Sequence, residues 1–147
     1  MAKSSTLNML IDMARNDTDE AARELAKLVK ARHDAQQQLD ALHSYRKDYA
    51  ERLQEESKSG LTASNYHNFR QFIATLDDAI SQQNKILEQL DARLQQGRDA
   101  WQAEKRRLNS YETLQTRRLR DQAVIEARRE QRLNDEMSAR GRRGLVR

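Results

Sequence analysis

Apolar side chains recur along the first third of the chain at alternating intervals of four and three residues. From Leu7 to Leu53 this spacing selects fourteen positions, and eleven of them are apolar. A sustained repeat of this kind is typical of a helix that packs along another helix through one narrow seam. The sequence contains no proline to interrupt the helix. Residues 5–57 are therefore predicted to form one helix about 80 Å long.

The repeat stops at Ser57-Lys58-Ser59-Gly60, where Gly60 suits the left-handed conformation that often follows a helix. It returns from Tyr66 to Tyr111, where again eleven of fourteen positions are apolar. Two amphipathic helices joined by a short loop fold back on each other. The predicted fold is all-α, a single antiparallel coiled-coil hairpin spanning residues 1–147. Its parts are helix 5–57, loop 58–63 and helix 64–140.

The sizes of the seam residues predict a register in which position i of the first helix faces position 122 − i of the second. Large residues then face small ones repeatedly, and Gly97 faces Leu25. In this register Leu7 faces Gln115, so the first helix ends where the second continues. The second helix is therefore predicted to be longer, with residues 115–140 overhanging without a partner. Residues 141–147 are expected to be disordered.

Composition supports a helical coil more than a compact globule. Charged residues make up 34% of the chain and aromatic residues only 5%, which is too few large apolar groups for a layered core. No apolar run is long enough to predict a signal peptide or a membrane span. We expect a cytoplasmic protein.

The side chains that usually carry chemistry are sparse. Cysteine is absent, and the three histidines, His33, His43 and His67, are widely separated. The chain has no glycine-rich phosphate-binding motif. A two-helix coil also lacks a pocket in which carboxylates could be desolvated. We therefore predict no catalytic residue, no metal and no cofactor, and expect the protein not to be an enzyme.

The end of the chain is rich in arginine, with ten arginines against five acidic residues over 115–147. Such a segment can be a solvated helix end, can bind an acidic protein surface, or can bind nucleic acid. The interspersed acids, and the lack of aromatic residues beyond Tyr111, argue against nucleic acid. We expect a protein partner.

Five of the seven aromatic residues lie between residues 45 and 72, on either side of the loop. Tyr45 and Phe72 are one position off the seam, where a two-helix coil cannot cover them fully. Either they lie against the coil's own shoulder, or they form an exposed patch for a partner. The patch and the basic segment together indicate an adaptor with two binding regions.

The run from Gly60 to Ile80 closely resembles the start of the second helix in the family of the flagellar export protein FliJ. The core of the match is Asn68-Phe69-x-Gln71-Phe72-Ile73-x-Thr75-Leu76-x-x-Ala79-Ile80. Further similarity lies in Leu10-x-Asp12-x-Ala14, in Gln38-x-x-x-Leu42-x-x-Tyr45-x-x-x-Tyr49 and around Trp101. The resemblance covers residues 5–115, and beyond residue 120 only the charged helical character is similar.

This resemblance implies a soluble component of the bacterial flagellar type III export apparatus, peripherally associated with the membrane. It implies a hairpin similar to a rotary-ATPase stalk, which enters the hexameric ring of the export ATPase FliI. It also implies contact with the export-gate membrane protein FlhA and help in handling export chaperones. Alternatives are the equivalent stalk of a virulence-type secretion system, and a scaffold that binds nucleic acid through its basic end.

The resemblance also implies binding residues. The residues corresponding to the gate-contacting patch are Gln38, Leu42, Tyr45, Tyr49, Phe72, Leu76 and Ala79. Position 83, often histidine in the family, is Gln83 here, which leaves that contact open. For the ATPase ring the resemblance implies regions only, the start of the first helix and the overhang, represented by Leu7, Ile11, Ala14, Arg117, Arg118, Val124 and Ile125.

Overall fold

A computed structural model describes residues 2–145 of the chain and the side chains of residues 4–144. It contains two helices, α1 (Ala2–Lys58) and α2 (Ala63–Leu145). They pack against each other in antiparallel fashion, which confirms the predicted all-α hairpin with a longer second helix.

The loop between the helices is shorter than the sequence pattern predicts. Gly60 has a φ of 91°, which confirms its left-handed conformation. The second helix begins at Ala63 because Thr62 is its N-terminal cap. The backbone N–H of Asn65 donates to Thr62 Oγ1 at 3.2 Å, which satisfies a donor that the first helical turn would leave free.

Both helices also extend further than predicted. α1 begins at Ala2, so the serines and threonine near its start lie inside the helix. α2 continues to Leu145, so residues 141–145 are helical where disorder was expected. Arg142 and Arg143 in the last turn interact favourably with the negative end of the helix dipole. Residues 146 and 147 lie outside the described residues.

The chain divides into two compact units. We call Asp19–Gln102 the loop unit, and Met1–Thr18 with Ala103–Arg147 the terminal unit. The loop unit has a core in which Ala35 and Leu39 of α1 pack with Ile80 and Leu87 of α2. Ala35 and Leu87 are opposite each other in the predicted register.

In the terminal unit one face of α1 packs against α2. Leu7, Ile11 and Ala14 are at most 5% exposed. The Gln115 amide donates to Asn8 Oδ1 at 2.8 Å, next to the predicted partner of Gln115. All the buried residues among side chains 4–144 lie on the two predicted seams.

The polar residues on the seam of α1 each have a local explanation. Thr18 is buried, and its hydroxyl donates to the Ala14 carbonyl at 2.7 Å, so it leaves no free donor in the seam. Arg32 and Arg46 extend out of the seam to reach carboxylates on α2, Arg32 through a 2.6 Å bond to Asp91. These three side chains interrupt the apolar seam, but each has a hydrogen-bond or ion-pair partner for its polar group.

Gly97 confirms the register and provides a test of it. A Cβ at this position would lie 3.1 Å from Leu28 Cδ1 and 3.6 Å from Leu25 Cδ1, so the leucines occupy the space that glycine leaves. We expect Gly97→Leu to lower the free energy of unfolding by roughly 1–3 kcal/mol, because the added side chain overpacks the seam. Urea unfolding followed by circular dichroism measures this change.

Gly141 supplies the matched control, because it is also helical and a Cβ added there would have nothing within 4 Å. Gly141→Leu should not lower the unfolding free energy. Equal destabilisation by both substitutions would contradict the register.

Candidate partner-binding surfaces

The aromatic rings beside the loop form a cluster. The ring of Tyr49 lies 4.4 Å from that of Phe72 and 6.1 Å from that of Phe69, measured between centroids. The Arg52 guanidinium lies 5.5 Å from the centre of the Tyr49 ring, within cation–π distance. These contacts hold Phe72 and Tyr49 together across the two helices.

Part of this cluster is exposed, as its positions off the seam predict. Tyr45 is 59% and Phe72 42% exposed. Tyr66 differs from expectation, since it lies on the seam yet is 45% exposed. Its opposite position on α1 is Glu56, close to the end of that helix, so no apolar side chain covers it.

The residues assigned by resemblance to a gate-contacting patch differ in their exposure, and two of them, Tyr49 and Phe72, are in ring contact. Gln38 is exposed like Tyr45 and Phe72, and Leu42, Tyr49 and Ala79 are half-buried. Leu76 is only 7% exposed. Leu76 therefore supports the patch from below, and a partner would touch mainly the exposed members.

Gln83 lies inside the seam beneath the same patch. Its side chain is buried, and its amide donates to the Ala35 carbonyl at 2.9 Å and to Gln38 Oε1 at 3.3 Å. The position left open by the resemblance thus faces the interior here. A buried, satisfied amide of this kind favours one register over its alternatives.

The two sides of the loop unit differ in chemistry. On one side two ion pairs join the helices, one between Arg46 of α1 and Asp77 of α2 and one between Arg32 and Asp91. The two aspartates are fourteen residues apart on α2. The hydrogen bond with Asp77, and then the charge of that carboxylate, raise the pKa of Arg46. These pairs are exposed, so each contributes little to stability. They nevertheless make this side hydrophilic.

The exposed part of the overhang begins later than residue 115, because Gln115 bonds to Asn8 and Arg118 is half-buried beside the start of α1. Every residue from 119 to 144 is exposed, including Val124 at 49% and Ile125 at 50%. Within the described residues, no other segment packs against 123–144, and no acidic group there lies within 4 Å of an arginine. A charged helix without a packing partner in its own chain is marginal in stability.

The other residues assigned by resemblance to the ATPase region are less accessible. Leu7, Ile11 and Ala14 belong to the core of the terminal unit. Arg117 is exposed, and Arg118 is half-buried beside the start of α1. The exposed part of this region is therefore the overhang.

Some exposed apolar residues were missed by the sequence pattern. Ile86 is 46% exposed, Val29 49%, and Met9 and Met13 more than half. Ile86 lies seven residues beyond Ala79 and fourteen beyond Phe72, so heptad spacing alone could have placed it on the same side.

Two further observations concern the described residues as a whole. Neither helix, over the residues that the structure covers, has an apolar stretch long enough to cross a membrane. Across those same residues, histidine, aspartate and glutamate side chains do not gather in threes to form a metal site.

The fold and these surfaces define a helical hairpin of the coiled-coil type that presents an aromatic patch and an unpaired helix. The family described as the flagellar FliJ protein matches residues 3–144. The flagellar FliJ proteins of Escherichia coli (strain K12) and Salmonella typhi are each 31% identical to the chain over 140 residues. The matched region covers 95% of this chain and 95% of each relative. The chain belongs to the flagellar FliJ protein family.

Proposed function

We propose that the chain is a non-enzymatic component of the flagellar export apparatus that links the export ATPase ring to the export gate. The observation that carries the proposal is the presence, on one hairpin, of two separate surfaces with different chemistry. One is the aromatic patch of the loop unit and the other is the basic overhang of the terminal unit. Membership of a flagellar family supports the flagellar system over a virulence-type one.

The overhang is the surface that we assign to the ATPase FliI. A ring encloses a helix on all sides, and residues 119–144 are exposed on all sides. Acidic groups on the inner wall would neutralise the arginines, and apolar groups there would cover Val124 and Ile125. Binding would then order a helix that is marginal alone.

The aromatic patch is the surface that we assign to the gate protein FlhA. Exposed aromatic side chains resting on a packed cluster are typical hot spots, because they lose little conformational freedom on binding. Tyr45 and Phe72 meet this description. The protein would then lie on the cytoplasmic side of the membrane, peripherally associated through the gate, where it could also assist export chaperones.

A ternary complex tests the proposal. Purified FliI and FlhA, mixed with the full chain, should elute together in size-exclusion chromatography as one species containing all three. Without the chain, FlhA and FliI should elute separately at the same concentrations. If the chain binds one partner only by displacing the other, the linking function is wrong.

A further inference from the structure

The flanks of the coil in the loop unit differ in a way that extends along both helices. In a heptad the e and g positions lie on either side of the seam, and in an antiparallel pair e faces e and g faces g. The g flank consists of Ala31, Gln38 and Tyr45 on α1 and Phe72, Ala79 and Ile86 on α2. The e flank consists of Val29, Gln36 and His43 on α1 and Asp77, Asn84 and Asp91 on α2.

The e flank carries ion pairs that make it unfavourable for an apolar partner. The two Arg–Asp pairs lie on it, at Asp77 and at Asp91. A shallow cavity beside the second pair is lined by Val29, Arg32 and Asp91 among others, which places Val29 on this side. An apolar partner would have to desolvate these ion pairs, which is unfavourable.

The g flank carries no charge over the same length. None of its six residues is an aspartate, glutamate, lysine, arginine or histidine, although 34% of the chain is charged. The adjacent row on α2, Asn68, Thr75, Gln82 and Gln89, is uncharged too, whereas the adjacent row on α1 carries Asp34 and Asp48. The next g residue on α2 is Arg93, and the next on α1 is Arg52. The neutral part of the g flank therefore ends at Arg93 on α2 and at Arg52 on α1.

We propose that the g flank is a docking groove for one amphipathic helix of the gate partner, and that Ile86 is a specificity-determining residue of this groove. The inference rests on the proposed function and extends it to a residue outside the patch implied by the resemblance. Ile86 is 46% exposed and Phe72 42%, and fourteen residues of helix separate them by about 21 Å.

The spacing identifies the kind of occupant. Apolar residues at intervals of seven on α2, with Tyr45 across the groove, match a third helix that packs with the same repeat. An aromatic residue inserted only beside Tyr45 and Phe72 would not reach Ile86. Because both rows of the groove are neutral, the contacting face of the partner helix is apolar and uncharged.

The test compares Ile86→Glu with Val29→Glu in the full chain. Both are aliphatic, and they are 46% and 49% exposed on opposite flanks. We expect Ile86→Glu to weaken binding to FlhA by about tenfold or more, since a carboxylate would enter the apolar contact, and Val29→Glu to leave it unchanged. Titration calorimetry measures affinity, and circular dichroism checks that both variants remain helical.

Measuring Phe72→Ala together with Ile86→Glu and Val29→Glu distinguishes failure of the long groove from failure of the proposed gate binding. Loss with Phe72→Ala but not with Ile86→Glu overturns the long groove and leaves the proposed gate binding intact. Loss with neither overturns both. Equal loss with Val29→Glu overturns the assignment to one flank. If sedimentation shows the chain alone to be a dimer that Ile86→Glu dissociates, the occupant is a second copy and the proposal is wrong.

Discussion

Removing residues 123–147 should abolish stimulation of the export ATPase by the chain while the paired helices remain folded. The last α2 side chains beside the start of α1 are Leu119 and Gln122, so a cut after Gln122 keeps the core of the terminal unit. The deleted helix is exposed throughout its described part, and its loss should cost little stability. The measurement is the ATP hydrolysis rate of FliI with increasing full-length or shortened chain.

A variant with fewer positive charges distinguishes the effect of the charge of the overhang from the effect of its length. Replacing Arg128, Arg129 and Arg132 by Gln keeps the length and the helix propensity but removes three positive charges. If the wall of the ring is acidic, stimulation should need much more of this variant than of the native chain, and the difference should shrink as salt is raised. Full stimulation by the shortened chain would contradict a stalk that enters the ring.

The fold could be predicted from the sequence because one repeat determines most of it. A seam of apolar residues at heptad spacing, a single breaker cluster and a short loop leave one simple arrangement for two helices. Residue size then selects the register, as Gly97 and Leu25 show. A register shifted by one heptad would place Gly97 opposite Thr18 or Arg32 instead of Leu25.

The helix ends could not be predicted with the same accuracy because they depend on local hydrogen bonds. Thr62, Ser64 and Asn65 can all cap a helix by residue type. Only the observed bond from the Asn65 N–H to Thr62 Oγ1 identifies Thr62 as the cap. The extent of α2 likewise depends on an Arg-rich last turn, whose composition alone suggested disorder.

The candidate surfaces were predicted in part. The exposure of Tyr45 and Phe72 follows from their place beside the seam. The depth of Leu76 and the inward hydrogen bonds of Gln83 could not be predicted, since a seam position can be either core or shoulder. Ile86 shares the heptad position of Phe72, so the spacing could have placed it on the same side, but it lacks the aromatic ring that distinguishes the patch in the sequence, and its exposure is seen only in the structure.

Phe72→Ala should weaken binding to the gate protein by about 2 kcal/mol, which is about a 30-fold increase in Kd. The ring is 42% exposed yet stacks on Tyr49 at 4.4 Å, so it is held in place for a partner at little entropic cost. Tyr45→Ala should act in the same direction, because Tyr45 is 59% exposed in the same patch. Titration calorimetry of FlhA with each full-length variant measures the change.

The melting temperatures of the variants show whether a loss of binding comes from the missing side chain or from a weakened fold. Truncating an exposed Tyr45 should hardly change the melting temperature, whereas Phe72→Ala also removes its contact with Tyr49 and should lower it slightly. Tyr66→Ala is the matched control, since Tyr66 is a similarly exposed aromatic residue outside the g flank. Loss of binding with all three variants would indicate a nonspecific apolar contact. Loss with Phe72→Ala and Tyr45→Ala alone would establish that the gate recognises the g flank of the coil, because both of these rings lie on that flank.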